Sequence, residues 1–255
     1  MRLPRLFRAR GRGAAGAKVR ADASKDEALG VEFYEPTHGL DVEAYIEREE
    51  KQGIHHLGRY HWATGVLAQR KPRAILDIAC GAGFGSKIVA TRMPDAEVLG
   101  ADYDSRAVEL ARRTYAAPNL RYAQGNVVTW ERIEGETRTP LGRYDAIVSF
   151  DTVEHLLFRE LAFLRMADNL TDDGALLLST PCHQLAVLNP GWEHHKIEYA
   201  YDDLKGLLAR FFRRVLVPED RSLPNFEFWD DVINAGRRRY ATRTNPVVCL
   251  EPVRV

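Results

Sequence analysis

The stretch that decides the fold is residues 75–86, which read ILDIACGAGFGS. An apolar run here ends in the acid Asp77, turns on glycines and continues into sequence compatible with a helix. A second apolar run ends 19 residues after Gly83 in another acid, Asp102. This layout is typical of a nucleoside cofactor site at the carboxyl edge of a parallel sheet, because glycines let the backbone approach a ligand and an acid can accept both ribose hydroxyl protons. For the glycines alone, a strand-to-helix turn without a ligand is the alternative.

Charge indicates which cofactor fits this turn. A dinucleotide would place a doubly negative pyrophosphate on the amino end of the helix after the glycines. Asp77 comes four residues before Gly81 and would repel that group. S-adenosylmethionine has no phosphate and carries an ammonium and a sulfonium, which a carboxylate attracts. The pattern therefore predicts an S-adenosylmethionine site, and a nicotinamide-dependent oxidoreductase is the alternative.

Charge is unevenly distributed along the 255 residues, although the formal net charge is zero. Seven of the 36 basic residues and no acidic residue lie in the first 20 positions, so the remainder has 29 basic against 36 acidic residues, a net charge of −7. Residues 1–30 are predicted to be a disordered basic arm, with weak contact to an anionic membrane as a second interpretation. The acidic remainder argues against stable binding of nucleic acid.

Composition predicts a cytoplasmic protein without a membrane span. No apolar run reaches the length of a span, and the amino terminus lacks the apolar region of a secretory signal. Cys80, Cys182 and Cys249 are odd in number and do not have zinc-site spacing, which favours reduced thiols. The 45% hydrophobic content suffices for one large α/β core with appendages.

Strands and helices alternate from residue 73 onward, which predicts a doubly wound parallel sheet. Two later strands, at 212–217 and 246–250, have no clear helix between them, so an antiparallel last strand fits best. Strands are expected at 74–79, 97–102, 119–124, 144–150 and 174–180, and helices at 85–92, 105–115, 154–169 and 201–211.

A single domain is expected over residues 31–255. Residues 31–72 are predicted to form a leading helical cap, because an apolar stripe recurs there at helical spacing. Two insertions, 181–200 and 218–245, are expected to cover the site of the methyl acceptor.

From about residue 41 to its end, the chain resembles class I S-adenosylmethionine-dependent methyltransferases. It is most similar to the branch of ubiquinone-type O-methyltransferases and methyltransferases of polysaccharide gene clusters. The resemblance implies an α/β, Rossmann-like, seven-stranded, mostly parallel sheet with an antiparallel last strand. The residues that carry it are 56–60 (HLGRY), 76–86, 100–102 (GAD), 125–126 (GN), 144–150 (YDAIVSF), 153–156 (VEHL) and 179–181 (STP).

The resemblance also implies a set of residues that bind S-adenosylmethionine. The glycine loop would hold the methionine moiety together with Asp77, Asp102 would bind the ribose, and Tyr103 would lie against the adenine. Asn126 replaces the family's usual aspartate as acceptor of the adenine amino proton, and an amide oxygen can still accept that bond. The full set is Arg59, Asp77, Gly81, Gly83, Asp102, Tyr103, Asn126 and Val127.

Arg59 has two interpretations. It comes from the leading helices, where a basic side chain could pair with the carboxylate of the cofactor. The alternative is a solvated arginine on a helix surface.

Candidate catalytic residues follow the fourth strand. Methyl transfer from a sulfonium is an in-line displacement, in which the protein aligns the nucleophile and removes its proton. Asp151, Glu154 and His155 have the i, i+3, i+4 spacing of one face of the predicted helix 154–169. His195 lies in a second polar cluster, 192–195 (WEHH), within the first insertion.

Three interpretations of these side chains stay open. In the first, Glu154 complements the helix dipole and His155 is a partly buried, hydrogen-bonded histidine. In the second, His155 or His195 is the general base. In the third, Glu154, His155 and His195, joined by Asp151, bind a divalent metal ion that lowers the pKa of a bound hydroxyl.

The metal interpretation has a precedent by resemblance. Some metal-assisted 2′-O-methyltransferases of small RNA ends and some ubiquinone-type enzymes have a similar Glu-x-x-Glu-His followed by a later histidine. Asp151 stands in place of the first glutamate, which shortens its reach.

We therefore expect Glu154, His155 and His195 to be catalytic, in the O-methylation of a small molecule or glycan. N- or C-methylation and cofactor binding without catalysis are the alternatives.

Overall fold

A computed structural model of the chain describes residues 47, 56–183, 185–190, 194–216 and 243–254, without the side chains of residues 183, 201 and 243–245. The predicted arm at 1–30, most of the chain before His56 and most of the second insertion lie outside these residues. The predicted extent of the domain and of its insertions therefore stays a prediction.

The described chain alternates strands and helices over most of its length. The helices are α1 His56–Arg70, α2 Phe84–Arg92, α3 Ser105–Thr114, α4 Arg159–Asp168 and α5 Tyr201–Leu208, with a 3₁₀ turn at Val153–His155. The strands are β1 Ala74–Ile78, β2 Glu97–Asp102, β3 Leu120–Asn126, β4 Glu131–Glu134, β5 Thr137–Pro140, β6 Tyr144–Phe150, β7 Leu170–His183, β8 Val187–Leu188, β9 Ile197–Ala200, β10 Phe212–Leu216 and β11 Arg243–Pro252.

The predicted Rossmann-like sheet is confirmed. The strand order is β10-β11-β7-β6-β1-β2-β3-β4-β5. From β3 across to β7 the neighbours are parallel, whereas β11 runs antiparallel to both β7 and β10. The antiparallel last strand is thus β11, inserted between β7 and β10.

Additional strands extend this sheet beyond the seven expected. The β4–β5 hairpin pairs antiparallel with the edge of β3, and β9 pairs parallel with the end of β7. The hairpin is polar and mostly exposed, so it lacks the apolar signal of a core strand. Its two-residue turn begins with Gly135 at φ +59°, the backbone region that such turns require.

The predicted helix at 154–169 is wrong in its first turn. Residues 153–155 form an isolated 3₁₀ turn, Leu156 is extended at ψ 136°, and α4 begins only at Arg159. Asp151 has φ +48°, in the left-handed region. The i, i+3, i+4 spacing of Asp151, Glu154 and His155 therefore does not place them on one helix face. Glu154 and His155 are adjacent in the 3₁₀ turn.

Hydrophobic side chains on both faces of the sheet form the core. In β6, Ala146 and Val148 contact the cluster that includes α1, α2 and α3, whereas Ile147 contacts the cluster that includes α4 and α5. This alternation buries both faces of the parallel strands. The three cysteines are buried free thiols. Among the described residues, no helix is long and apolar enough to cross a membrane.

Helix α1 packs closely on α2, next to the end of β1. The Tyr60 ring lies edge-on to Phe150, with 5.0 Å between ring centroids. It also covers Gly85 so closely that a Cβ there would come within 2.1 Å of the ring. Glycine at position 85 is therefore required by contact with Tyr60.

We expect Gly85→Ala to lower the free energy of unfolding by about 1–3 kcal/mol, because the Tyr60 ring must move out of its packed position. The matched control is Gly206→Ala in α5, where no atom lies within 4 Å of the position of a Cβ. That change should raise stability by up to about 1 kcal/mol, since alanine favours helix over glycine. Urea denaturation measures both. Equal effects would contradict the role given to Tyr60.

Candidate active site

The glycine loop leaves β1 in a left-handed turn. Ala79, Gly81 and Gly83 all have positive φ, at +62°, +53° and +87°. A Cβ at Gly83 would lie 2.5 Å from the Cβ of Ala111 in α3. The backbone angle and the close packing against α3 both require glycine at position 83.

Asp102 fastens the loop to β2. Its Oδ2 accepts a hydrogen bond from the Gly81 N–H at 2.8 Å, and its Oδ1 accepts one from the Asp104 N–H at 2.9 Å. Burial raises the pKa of Asp102, although these two N–H groups lower it. Each carboxylate oxygen has a second lone pair, so the geometry is compatible with the predicted ribose contact.

Asp77 is fully buried beneath the same loop. Its Oδ2 accepts from the Ser86 hydroxyl at 2.6 Å and its Oδ1 from the Tyr60 hydroxyl at 3.1 Å. Burial raises the pKa of Asp77 to about 7, although the two hydroxyl groups lower it. In this conformation Asp77 would act on the methionine ammonium through its charge, since the carboxylate has no exposed surface.

Tyr103, Asn126 and Val127, the remaining residues of the predicted cofactor-binding set at the ends of β2 and β3, differ in exposure and in hydrogen bonding. Tyr103 is 61% exposed and Val127 is buried. The Asn126 Oδ1 accepts from the N–H groups of Val128 and Thr129, at 2.8 and 3.2 Å. Both lone pairs of that oxygen are used within its own turn, and its role as acceptor of the adenine amino proton stays a prediction.

Arg59 is 5% exposed, so the interpretation as a solvated arginine is wrong. Its Nη1 forms a short ion pair with Asp151 and lies 3.4 Å from the Ser179 hydroxyl oxygen. Burial raises the pKa of Asp151, but the charges of Arg59 and His56 outweigh this and leave it lowered. The Arg59 side chain thus extends from α1 to the carboxyl ends of β6 and β7.

A separate cluster contains Glu154, His155 and His195, whose potential ligand atoms all lie within 4.8 Å of one another. Asp151 is not part of this group, which corrects its predicted place among the metal ligands. Trp192 and Glu193, from the same sequence cluster as His195, lie outside the described residues.

Glu154 is fully buried at the centre of this cluster. Its Oε2 accepts from the Thr180 hydroxyl at 2.9 Å, whereas its Oε1 has no hydrogen-bond partner within the described part of the chain. Burial and then the charge of Asp151 raise the pKa of Glu154 well above its ordinary value. The predicted interaction with a helix dipole is wrong, because Glu154 precedes α4 and lies in the 3₁₀ turn.

The two histidine rings are held through their Nδ1 atoms. His155 Nδ1 lies 3.1 Å from the carbonyl oxygen of His194, and His195 Nδ1 lies 2.5 Å from Glu198 Oε1. The rings meet edge to face, with 4.8 Å between centroids.

The quoted motifs include Tyr60, Ser86 and Thr180 but gave them no individual role; Tyr60 and Ser86 bond to Asp77, and Thr180 bonds to Glu154. Glu198, which bonds to His195, was missed. Glu198 follows His195 at i+3, which was the only local signal for it.

Comparison with known proteins supports the sequence resemblance. Residues 75–174 match the family described as "Methyltransferase domain". A probable S-adenosylmethionine-dependent methyltransferase of Mycobacterium tuberculosis is 29% identical over 175 residues, which cover 66% of this chain. The chain spans 56% of that relative's length. A malonyl-[acyl-carrier protein] O-methyltransferase of Halalkalibacterium halodurans is 24% identical over 189 residues, 69% of this chain and 68% of that protein.

Solved structures share the fold. The O-methyltransferase of a trans-AT PKS multienzyme of Brevibacillus brevis, in complex with S-adenosyl-L-homocysteine, superposes with a TM-score of 0.55 at 13% identity, over 85% of this chain and 81% of that chain. Phosphoethanolamine N-methyltransferase 2 of Haemonchus contortus, in complex with S-adenosyl-L-methionine, gives a TM-score of 0.52 at 14% identity, over 86% of this chain and 62% of that chain.

Asp77 should make stability depend on pH in the absence of ligand. Burial raises the pKa of its carboxyl group in the folded protein to about 7, above the ordinary aspartate value of 3.8. Between these values the folded state binds more protons than the unfolded state, so the free energy of unfolding falls as pH rises. We expect Asp77→Asn to reduce that fall by roughly 2–3 kcal/mol between pH 4.5 and 7.5, measured by urea denaturation.

Asp145→Asn is the matched control. Burial raises the pKa of Asp145, but backbone N–H groups of Arg73 and Ala74 outweigh it and leave the pKa lowered. The ionised Asp145 carboxylate stabilises the folded state at pH values above the ordinary pKa of aspartate, and this contribution is lost only at lower pH. Between pH 4.5 and 7.5 the free energy of unfolding of Asp145→Asn should therefore fall as steeply as that of the native protein. A native slope in Asp77→Asn would contradict the prediction.

Proposed function

We propose that this chain is a class I S-adenosylmethionine-dependent methyltransferase that transfers the methyl group of S-adenosylmethionine to an oxygen atom of a small molecule or glycan. The observation that carries the proposal is the cluster formed by the buried Glu154 with the half-buried His155 and His195. A hydroxyl acceptor must lose a proton during the displacement, whereas an amine often needs no base. A cluster of groups able to take that proton favours oxygen as the acceptor atom.

The ends of adjacent strands support a shared position for cofactor and cluster. Asp77 in β1 pairs in register with Val148 in β6, and the 3₁₀ turn that carries Glu154 follows β6 directly. Ligands of such sheets bind at the carboxyl ends of the strands. Methyl donor and acceptor would therefore meet between the glycine loop and Glu154.

Binding of the cofactor would involve Arg59 and Asp102. Asp102 would accept the ribose hydroxyl protons while it keeps its bonds to the loop. The Arg59 guanidinium would pair with the methionine carboxylate and exchange part of its contact with Asp151. Tyr103 would supply an exposed ring to the adenine.

The residues present fit a divalent metal ion. Glu154 Oε1 is buried and has no hydrogen-bond partner among the described residues, so this oxygen could coordinate a cation. The cluster supplies one carboxylate and two imidazoles, and each Nδ1 has an acceptor oxygen beside it, so coordination would use Nε2. When bound, a divalent ion lowers the pKa of a coordinated hydroxyl.

His155 and His195 also fit the role of general base without a metal. Glu154 is less suited to that role by itself, because burial favours its neutral form. The two mechanisms share the same side chains and differ in their need for a cation.

The name of one relative gives further support to an oxygen acceptor. The Halalkalibacterium protein is named as a malonyl-[acyl-carrier protein] O-methyltransferase. The acceptor should be found by incubating the protein with isotope-labelled S-adenosylmethionine and a metabolite extract. Product masses and fragmentation would separate O-methylation from N- or C-methylation, and cofactor binding without any labelled product would contradict the proposed activity.

We expect Asp102→Ala to weaken binding of S-adenosylhomocysteine about 10- to 100-fold, since bonds to a charged group contribute about 1.5–3 kcal/mol each. Isothermal titration calorimetry measures this. The control is Asp145→Ala, which also removes a carboxylate that accepts two backbone N–H groups, but at the amino end of β1. Native affinity in Asp102→Ala would contradict the assignment of the cofactor site.

We expect the native protein to bind Mn²⁺, and Glu154→Gln to weaken that binding at least 10-fold, because the amide lacks the charge that a hard cation prefers. Glu160→Gln, an exposed change at the start of α4, is the control. Titration calorimetry with Mn²⁺ measures all three proteins. Equal binding by all three would exclude the metal site and leave the histidine base.

A further inference from the structure

Glu198 is a buried carboxylate that has no role in the methyl transfer proposed above. It is 7% exposed and lies in β9. Burying a carboxylate is costly unless a partner compensates for lost hydration. Its Oε1 lies 2.5 Å from His195 Nδ1, within hydrogen-bond distance, so the imidazole is that partner.

The backbone around Glu198 is held on three sides. Glu198 pairs with Val187 of β8, and its neighbour Tyr199 pairs with Cys182 of β7. Just before β9, the Lys196 N–H donates to the carbonyl oxygen of Glu154 at 2.6 Å. The segment with His195 and Glu198 is thereby tied to the turn with Glu154.

The acceptor beside each ring decides where its proton lies. A carboxylate and a carbonyl oxygen can only accept, so Nδ1 of His195 and Nδ1 of His155 must be the donors. In the neutral rings, Nε2 then carries the lone pair. His155 has a backbone carbonyl as its partner, whereas His195 has a charged side chain.

We propose that Glu198 is a positioning residue that fixes His195 in the Nδ1–H tautomer, with Nε2 as the atom that binds a metal ion or takes the acceptor's proton. This inference rests on the proposed function of Glu154, His155 and His195. It assigns Glu198 a role through His195, without contact to cofactor or acceptor.

The tautomer can be measured without turnover. Full-length protein labelled with ¹⁵N-histidine gives long-range ¹H–¹⁵N correlations that distinguish the two tautomers at a pH where the rings are neutral. His195→Gln and His155→Gln identify the two signals. In the native protein, both rings should carry the proton on Nδ1. In Glu198→Ala, His195 should shift toward the Nε2–H form while His155 keeps its tautomer as internal control.

Metal affinity gives the second readout. Mn²⁺ titration should show about 10- to 100-fold weaker binding in Glu198→Ala, in line with loss of a partner of a ligating histidine. Glu198→Gln keeps an oxygen acceptor without the charge, so it should lose affinity by a smaller factor. Binding of S-adenosylhomocysteine should be the same in all three proteins, which shows that the fold is intact.

Two results would overturn the inference. One is an unchanged His195 tautomer in Glu198→Ala; the other is native Mn²⁺ affinity in both Glu198 variants. If Glu198→Ala does not fold, Glu198→Gln decides, and native affinity in that variant overturns the role. If the native protein binds no Mn²⁺, the metal proposal fails by itself, and the tautomer still decides the role of Glu198.

Discussion

The buried carboxyl group of Asp77 is the constraint on which the packing around the glycine loop depends. It lies at the end of the central strand β1 and accepts hydrogen bonds from Tyr60 of α1 and Ser86 of α2. A carboxylate without exposed surface needs such donors. The donors in turn fix the two helices that flank the glycine loop, and Tyr60 then requires glycine at position 85. One buried carboxyl group thus links the strand, the loop and the leading helix.

Two further groups of polar residues divide the carboxyl edge of the sheet between them. Arg59 forms an ion pair with Asp151, whereas Glu154 lies among His155, His195 and Thr180. Asp151 and Glu154 are three residues apart in sequence, yet their pKa values are shifted in opposite directions. The charges of Arg59 and His56 lower the pKa of Asp151, whereas burial and then the charge of Asp151 raise the pKa of Glu154. Such a separation of acid properties is typical of functional sites.

The sheet could be predicted from the sequence because its signal is local. Apolar runs of strand length alternate with helical segments, and strands with both faces buried must be apolar throughout. The polar β4–β5 hairpin was missed for the same reason, since its residues are mostly exposed. The helix predicted at 154–169 failed in its first turn, where tertiary contacts outweigh helical spacing. Glu154 is buried and accepts a hydrogen bond from Thr180, and the chain around it forms a 3₁₀ turn followed by an extended Leu156.

The sequence by itself determined the class of fold, the glycine loop and the acids at the ends of β1 and β2, because these depend on local pattern and spacing. The tertiary structure alone decided which partner each charged side chain has. Arg59 meets Asp151 across 92 positions, and Asn126 uses its oxygen for its own turn. Glu198 lies only three residues after His195, and β7 and β8 hold the β9 segment in which the two side chains meet. The Arg59–Asp151 pair depends on the distance between elements far apart in the chain, which no spacing within a segment encodes.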